Sequence, residues 1–365
     1  MRISREKTSI SDNSQLIKIK EEYPDHSFFY INFHIAKSSD VYSALKKLSA
    51  YLEDHQLEVL LAFGFGFKSH FNKGELEKMI PLILLYHNYS KGHHVQLICT
   101  DSKHVKLREY SGDTCVKSLD NYGSELYFIS NVTSNEQGDY YRKAYSTFMA
   151  LKRILEKNDI SYSGLARTWL YIDNILDWYD ELNHARTNFY NEENIFDGFI
   201  PASTGIGLSN LNGKSLSISA YALREGKDDC IIRMIESPLQ CPATDYKSSF
   251  SRAVEISFNT SKRLIISGTA SINSRGETLH KDSIEKQIEH TMEVVKSIMI
   301  NEQYGWDNVV RSIAYFPATK VEKYFINYCM LNNIDSSYIM AVNGTVCRDD
   351  LLFEIELDAV KPVQH

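Results

Sequence analysis

Two glutamates lie two residues apart near the end of the sequence, in the stretch LFEIELDAV at 352–360. The alternating apolar residues predict a strand, in which Glu354 and Glu356 share one face with Leu352. A carboxyl group that is buried beside a second carboxylate has a raised pKa and can donate a proton near neutral pH. The alternative is a solvated face of an edge strand, since most glutamates are exposed.

Length and charge narrow the classes of protein that the chain can belong to. It has 365 residues, which predicts two domains or a duplicated one. Its formal net charge of −7 argues against binding along a nucleic-acid backbone. An anionic small molecule remains a possible ligand if arginines are gathered around it.

The sequence also predicts where the protein works. The first residues lack the apolar segment of a secretory signal, and the longest apolar run, 79–86, is too short to span a bilayer. The six cysteines have no CxxC spacing, and no Cys/His cluster suggests a metal site. We therefore expect a cytoplasmic protein with reduced thiols, no membrane partner, and no metal or organic cofactor.

Two parts of the sequence, 140–175 and 284–319, follow the same pattern at an offset of 144 residues. Each has apolar residues at helical spacing, then a turn, then a strand with Arg at its start and Tyr inside it. The coincident positions are Thr147 with Thr291, Leu151 with Val295, Leu155 with Met299, Arg167 with Arg311, and Tyr171 with Tyr315. Duplication explains this better than coincidental periodicity in two unrelated folds.

A strand precedes each first helix, and a second helix and extended chain follow each repeated strand. Each half is therefore predicted to be a β–α–β–α–β unit, an α+β fold whose mixed sheet carries two helices on one face. Prolines interrupt the pattern in 238–249, so we place the domain boundary there. The predicted domains are residues 1–240 and 241–365.

Several motifs resemble those of known proteins. The stretch 263–299, with ISGT in a strand, and the E-x-E of the last strand resemble the YjgF/RidA superfamily, in which the first Glu is the functional one. The motifs RTWLYI (167–172), LNHAR (182–186) and PASTGIG (201–207) resemble the RTWNYL, FNVGR and PAATGIG of the chorismatase family. The resemblance covers about residues 125–360 and implies two related YjgF/RidA-like, or chorismate mutase-like, domains; residues 1–120 are assigned by continuity alone.

The chorismatase resemblance implies a role for two residues. Glu354 would be the acid that protonates the enolpyruvyl methylene of chorismate. Cys347 lies seven residues earlier, at the spacing of a cysteine that sits beside the acid in chorismatases that form 3-hydroxybenzoate. We expect Cys347 to shape the site rather than act as a nucleophile, and the alternative is a small buried apolar residue.

The two carboxylates of such a substrate require arginines, whose planar guanidinium groups bind carboxylates through paired hydrogen bonds. Arg167, Arg186 and Arg348 each lie in a family-like motif, and Arg167 is the best candidate because it begins a strand. The alternative for any one of them is an ion pair at a surface or an interface.

Three further residues are candidates for substrate binding. Tyr171 could hydrogen-bond the substrate, although a strand Tyr is more often a core residue with its hydroxyl at the rim. Gly205 and Gly268 would let a ligand approach the main chain closely, and the alternative is that both are bulge glycines.

The leading hypothesis is a chorismatase-like enzyme that releases pyruvate from chorismate and leaves 3-hydroxybenzoate or a dihydroxycyclohexadiene carboxylate. The alternative is an enzyme or binding protein of the same fold, in secondary metabolism, that does not use chorismate. Two departures from the family motifs favour the alternative: Leu170 replaces an Asn, and FPAT at 316–319 lacks a basic residue. The superfamily also implies a monomer or a homo-oligomer, such as a trimer with sites between subunits.

Overall fold

The computed structural model describes residues 1–11, 13–68, 70–87, 92–121, 123–224 and 230–363. These residues form three mixed sheets, each with helices packed on one face. The α+β class predicted from the sequence, with mixed sheets and helices on one face, is thereby confirmed. The sequence indicated two related units, and the structure contains a third, formed by the first 100 residues, which the motifs did not cover.

The first unit contains strands β1 to β6 and two helices, and its sheet is extended by β12 from later in the chain. Its elements are β1 (Arg2–Ser11), β2 (Ser14–Glu22), β3 (Ser27–Ile35), α1 (Val41–Asp54), β4 (Glu58–Phe65), α2 (Lys73–Met79), β5 (Ile83–Tyr86), β6 (His93–Thr100) and β12 (Ser209–Asn210). The order of strands across this sheet is β1-β2-β3-β6-β4-β5-β12.

The second unit has six strands and two helices. Its elements are β7 (Val105–Ser111), β8 (Thr114–Asn121), β9 (Ser124–Val132), α3 (Tyr140–Lys157), β10 (Leu165–Ile172), α4 (Ile175–Glu192), β11 (Ala202–Gly207) and β13 (Leu216–Arg224). The strand order is β11-β10-β13-β9-β8-β7, with β10 and β11 parallel.

The third unit has the same composition. Its elements are β14 (Ile231–Ile235), β15 (Ala253–Ser257), β16 (Ser261–Ala270), α5 (Ile284–Asn301), β17 (Val309–Phe316), α6 (Glu322–Leu331), β18 (Met340–Asn343) and β19 (Glu354–Pro362). The strand order is β14-β15-β16-β19-β17-β18. Since β14 pairs with β15, this sheet begins a few residues before the boundary proposed near residue 240; the division into domains itself stays a prediction.

The predicted repeat appears in the boundaries of the elements. Helix α3 spans 140–157 and α5 spans 284–301, while β10 spans 165–172 and β17 spans 309–316, so both pairs begin and end 144 residues apart. The strand order also repeats, as β9-β13-β10-β11 in the second unit and β16-β19-β17-β18 in the third. The first unit has the equivalent order β3-β6-β4-β5.

The three sheets face one another across a common interior. Apolar residues from all three inner faces form one central core, including Phe63, Trp169 and Ile313. Each outer face has a separate core against its own helices. This arrangement leaves seams between neighbouring units, where side chains of two sheets meet. Among the described residues, no helix is both long and apolar enough to cross a membrane.

Candidate active site

A cavity lies at the seam between the second and third units. The second unit contributes Leu170 of β10, Ser203 and Gly205 of β11, and side chains of α4. The third unit contributes β16, the start of β19, and the segments that precede β15 and β19. The cavity therefore exists only because two units pack together.

Glu354 lines this cavity at the first position of β19. The strand lies between β16 and β17 in the middle of the sheet, so the alternative of a solvated edge strand is excluded. Glu354 is 5% exposed, and its carboxyl has no hydrogen-bond partner among the described residues. Burial, reinforced by the charge of Glu356, raises the pKa of Glu354 to about 8. The group is therefore mainly protonated at neutral pH.

Gly268 makes room for the Glu354 carboxyl. It lies in the β16 segment where the pairing with β19 shifts register, between Ile266 and Thr269, so it is also a bulge glycine. A Cβ atom at this position would collide with Oε1 of Glu354. Any larger residue at 268 would therefore displace the carboxyl group from the cavity.

Glu356 has an entirely different environment from Glu354. Its Oε2 accepts from Nη2 of Arg167 at 2.5 Å, and its Oε1 accepts from Nη2 of Arg311 at 2.7 Å and from Nε1 of Trp169 at 3.0 Å. Burial by itself would raise the pKa of Glu356, but the charges of Arg167 and Arg311 outweigh it and lower the pKa to about 2. Glu356 is therefore a fixed anion next to a protonated acid.

Arg167 does not line the cavity. Side chains alternate along β10, so Leu170 reaches the cavity while Arg167, Trp169 and Tyr171 point into the central interior. The Arg167 guanidinium is fully buried, and besides Glu356 it bonds the Ile266 carbonyl at 3.0 Å. Its hydrogen-bonding groups are thus directed at the protein, and this placement offers no contact to a ligand in the cavity.

Tyr171 is also remote from the cavity. It is 1% exposed and packs edge-on against Phe63 and Phe65 of the first unit, at ring distances of 5.7 and 6.4 Å. Burial raises its pKa well above the ordinary value, so the phenol is neutral. The structure places Tyr171 in the core, the second of the two roles that its position in a strand suggested.

Cys347 lies in the cavity wall beside Glu354. Burial, followed by the charge of Glu354, raises the pKa of its thiol to about 12, and the thiol interacts with the hydroxyl of Tyr179 on α4. A thiol with such a pKa is neutral and a poor nucleophile at physiological pH. Its position suits a residue that shapes the space around the acid.

Three arginines surround the remaining part of the cavity. Arg186 donates to Oδ1 of Asn183 at 2.8 Å, and Arg348 donates to the Gly276 carbonyl at 2.6 Å. Arg252 donates from Nε to the Cys241 carbonyl at 2.9 Å. Arg186 and Arg252 are each 4% exposed, and each has a buried nitrogen without a hydrogen-bond partner in the described structure. Buried guanidinium groups with free donors are suited to binding an anion.

Sequence reasoning missed Arg252, Tyr246 and Tyr179. Tyr246 lies in the segment read as a domain boundary, 238–249, and Arg252 follows shortly after it; the Arg252 guanidinium lies 5.3 Å from the Tyr246 ring. The available signal was that Arg252 directly precedes the buried strand AVEIS, much as Arg167 lies near the start of its own strand. Tyr179 lines the cavity next to a kink in α4, where Trp178 has φ −152° and ψ 22°. No pattern in the sequence predicts this kink.

Gly205 and Leu170 line the cavity, whereas Pro317 of the FPAT stretch does not. Gly205 pairs with Leu170 across β10 and β11 and lines the cavity, but a Cβ there would meet only the Ile172 side chain, at an ordinary 3.5 Å. Leu170 lines the cavity as well, so an apolar side chain stands in its wall at the position where the chorismatase motif has Asn. Pro317 does not line it.

The cavity opens into a wider surface depression that is strongly acidic. Tyr179, Tyr246 and Arg348 line both, and five carboxylates surround the opening. We call these five the acidic rim: Asp177, Asp180, Glu181, Asp349 and Asp350. The rim repels an approaching anion, whereas the arginines deeper inside attract it.

The site thus combines a protonated, unbonded carboxyl group with buried guanidinium groups. Such a pair can bind an anion and transfer a proton to it. Within the described ranges, no group of three or more His, Cys, Asp or Glu side chains is placed to hold a metal ion.

The chain was compared with known protein families, curated proteins and solved structures. No family model and no curated protein matches the chain. The crystal structure of a chorismatase is similar over 82% of this chain and 92% of its own, with a TM-score of 0.64 and 18% identity. The YjgF gene product of E. coli matches 35% of this chain and 98% of its own, with a TM-score of 0.28 and 17% identity. A YjgF/YER057c/UK114 family member from Mycobacterium tuberculosis also matches 35% of this chain and 98% of its own, with a TM-score of 0.28 and 18% identity. The chain therefore has the fold of that chorismatase.

Proposed function

We propose that this protein is a chorismatase-like enzyme that protonates the enolpyruvyl ether of chorismate and releases pyruvate. The observation that carries the proposal is Glu354: a buried carboxyl group, protonated at neutral pH, without a hydrogen-bond partner in the described structure, in a cavity lined by arginines. The similarity of the fold to a chorismatase supports the same substrate.

In the proposed first step, Glu354 transfers its proton to the methylene carbon of the enolpyruvyl group. The carbon becomes a methyl group, the adjacent carbon becomes an oxocarbenium ion, and Glu354 becomes a carboxylate. That carboxylate stabilises the cation by its charge. Its neighbour Glu356 stays ionised throughout because Arg167 and Arg311 hold it.

The second step decides the product. If water attacks the oxocarbenium ion, the resulting hemiketal collapses to pyruvate and a dihydroxycyclohexadiene carboxylate, and the proton lost by the water restores Glu354. If a ring hydroxyl attacks instead, its proton restores Glu354 and a cyclic ketal forms. Loss of a ring hydrogen as a proton, with cleavage of one ring C–O bond, then makes the ring aromatic and leaves a hemiketal that collapses to 3-hydroxybenzoate and pyruvate without consuming water. In the proposal, Cys347 influences this choice because it lies in the wall beside the acid.

The substrate carboxylates are assigned to the cavity arginines. Arg252 and Arg186 are buried and retain free donors, and Arg348 stands between the cavity and its opening. These three replace Arg167 in the role that its motif suggested. The proposed enzyme uses a small anionic substrate and neither a metal nor an organic cofactor, and it works in the cytoplasm. Its oligomeric state stays a prediction.

The test is to incubate purified protein with chorismate and follow pyruvate through lactate dehydrogenase and NADH, with the second product identified by chromatography. The Glu354→Gln variant keeps the shape of the side chain but lacks the acidic proton. Its turnover should fall by about 10²–10⁴-fold, the usual contribution of a positioned acid, while chorismate still binds. Equal pyruvate release by the variant and the wild type would show that Glu354 is not the acid.

A second function is favoured by one observation, the Leu170 side chain in the cavity wall where the family motif has Asn. A protein that binds a chorismate-like acid without converting it would tolerate this loss of a polar group. Thermal shift with chorismate and with 3-hydroxybenzoate distinguishes the two functions. Stabilisation by these ligands without any pyruvate release identifies a binding protein, and pyruvate release identifies the enzyme.

A further inference from the structure

Helix α6 exposes an apolar surface on the outside of the third unit. Ile326, Met330 and Leu331 are 51%, 69% and 71% exposed, and Ile300 at the end of α5 is 61% exposed. Their spacing along α6 puts the first three on neighbouring turns of one helix. Exposed large apolar residues that cluster in this way typically mark an interaction site.

The corresponding helices of the other two units provide an internal comparison. Helix α4, the counterpart of α6 in the second unit, exposes a single large apolar residue, Leu176, among polar ones. The exposed residues of α2 in the first unit are Gly74, Glu75 and Lys78. Since all three helices cover the same face of the same kind of sheet, the apolar surface of α6 is not required by the fold.

A groove between α5 and α6 adjoins this surface and carries a row of negative charge. Glu285, Glu289 and Glu293 line it from α5, four residues apart and all exposed, and Lys296 lies at the end of this row. None of the three forms an ion pair within the described part of the chain. Tyr328 forms part of the opposite wall, and its pKa is raised mainly by burial, with smaller contributions from Cys329, Glu289 and Glu293.

We propose that the α5–α6 groove docks a basic amphipathic helix of a partner protein. The apolar side chains of such a helix would cover Leu331 and Met330, and its lysines or arginines, four residues apart, would pair with the glutamate row. A second copy of this chain is a poor occupant. In a symmetric dimer the same patch is supplied by both copies, so three glutamates and a single lysine, Lys296, would face an equal set, in a protein whose net charge is already −7.

The proposal can be tested with two labelled synthetic helices and fluorescence anisotropy. The basic peptide has lysines four residues apart beside a leucine stripe, and the acidic peptide has glutamates in place of the lysines. The basic peptide should bind the wild type, and Leu331→Ser or Glu289→Gln should weaken binding about tenfold or more. Leu107→Ser, at a leucine on β7 that is 61% exposed, is the matched control and should leave binding unchanged.

Three results would overturn the proposal. The first is that the basic peptide does not bind, and the second is that both peptides bind equally, which indicates apolar adhesion without charge recognition. The third is a concentration-dependent dimer in light scattering that Leu331→Ser abolishes, which would make a second copy the occupant. The substituted side chains are exposed, so unfolding followed by circular dichroism should show the variants as stable as the wild type.

Discussion

The raised pKa of Glu354 predicts a specific dependence of stability on pH. An ordinary glutamate has a pKa of 4.5, and Glu354 has a pKa of about 8 in the folded protein. Between these values the folded protein keeps a proton that the unfolded chain has released. The contribution of Glu354 to stability is therefore complete below about pH 4.5 and is lost as the pH rises through about 8.

The size of this loss of stability follows from the difference between the two pKa values. Each pH unit is worth about 1.4 kcal/mol, so the loss between about pH 5 and about pH 8 is on the order of 4 kcal/mol. That is a large part of the roughly 5–15 kcal/mol that stabilises a typical protein. Glu354→Gln has no proton to lose and should escape this loss. Relative to the wild type, the variant should therefore gain stability as the pH rises.

The assay is urea unfolding of both proteins at the two pH values, followed by circular dichroism. Ionisation of Glu356 does not interfere, because its pKa of about 2 lies below the interval. Histidines that titrate within the interval are common to both proteins and cancel in the difference. Glu289→Gln removes an exposed glutamate and should show no such trend.

The refuting result is a stability difference between wild type and Glu354→Gln that stays constant from about pH 5 to about pH 8. Glu354 would then be ionised in the folded protein at neutral pH, and it could not act as a general acid there. This test needs no substrate, so it checks the electrostatic reasoning separately from the choice of chorismate.

Four further predictions concern catalysis and stability. Glu356→Gln removes a negative charge and leaves the charges of Arg167 and Arg311 uncompensated. Both changes lower the pKa of Glu354, so the basic limb of the pH–rate profile should move to lower pH. An unchanged basic limb would contradict the electrostatic interaction between the two glutamates. Arg167→Ala should lower the free energy of unfolding by about 3–5 kcal/mol, because it leaves the buried Glu356 charge without one of its partners. Arg252→Ala should mainly raise KM. Denaturation and steady-state kinetics distinguish the two effects, and the reverse pattern would exchange the roles of the two arginines. Cys347→Ala should change the ratio of the two ring products more than the rate, as chromatography can measure, and an unchanged ratio would remove Cys347 from that choice. The acidic rim should make kcat/KM for an anionic substrate rise with ionic strength, because salt screens the repulsion at the opening. A fall of kcat/KM with salt would mean that attraction by the arginines dominates the approach of the substrate.

Local pattern in the sequence was enough to predict much of the fold. The offset of 144 residues identified two units whose helices and strands begin and end at matching positions, because helical and strand periodicities are local properties of the chain. The first unit escaped notice because its helix α2 is only seven residues long and its strands share no motif with the others. Its existence became evident only from the matching strand order.

The site was predicted in part. Glu354, Cys347, Arg186, Arg348 and the two glycines were named from motifs, and the structure gathers all six around one cavity. The identity and spacing of these residues can be read directly from the sequence. Strand periodicity does not separate the roles of Glu354 and Glu356, because it gives both the same face. The resemblance alone singled out Glu354, and it did not show which of the two glutamates meets an arginine.

Only the closure of three sheets around a common interior decided that difference. It brought Arg167 of the second unit onto the carboxylate of Glu356, which already lies beside Arg311 on the adjacent strand of its own sheet, and it left Glu354 at the seam without a partner in the described structure. It also brought Arg252 and Tyr246, from a segment without regular pattern, to the wall facing the acid. Burial and charge pairing depend on which sheets face each other, and contacts between residues almost 200 positions apart leave no periodic signal in the sequence.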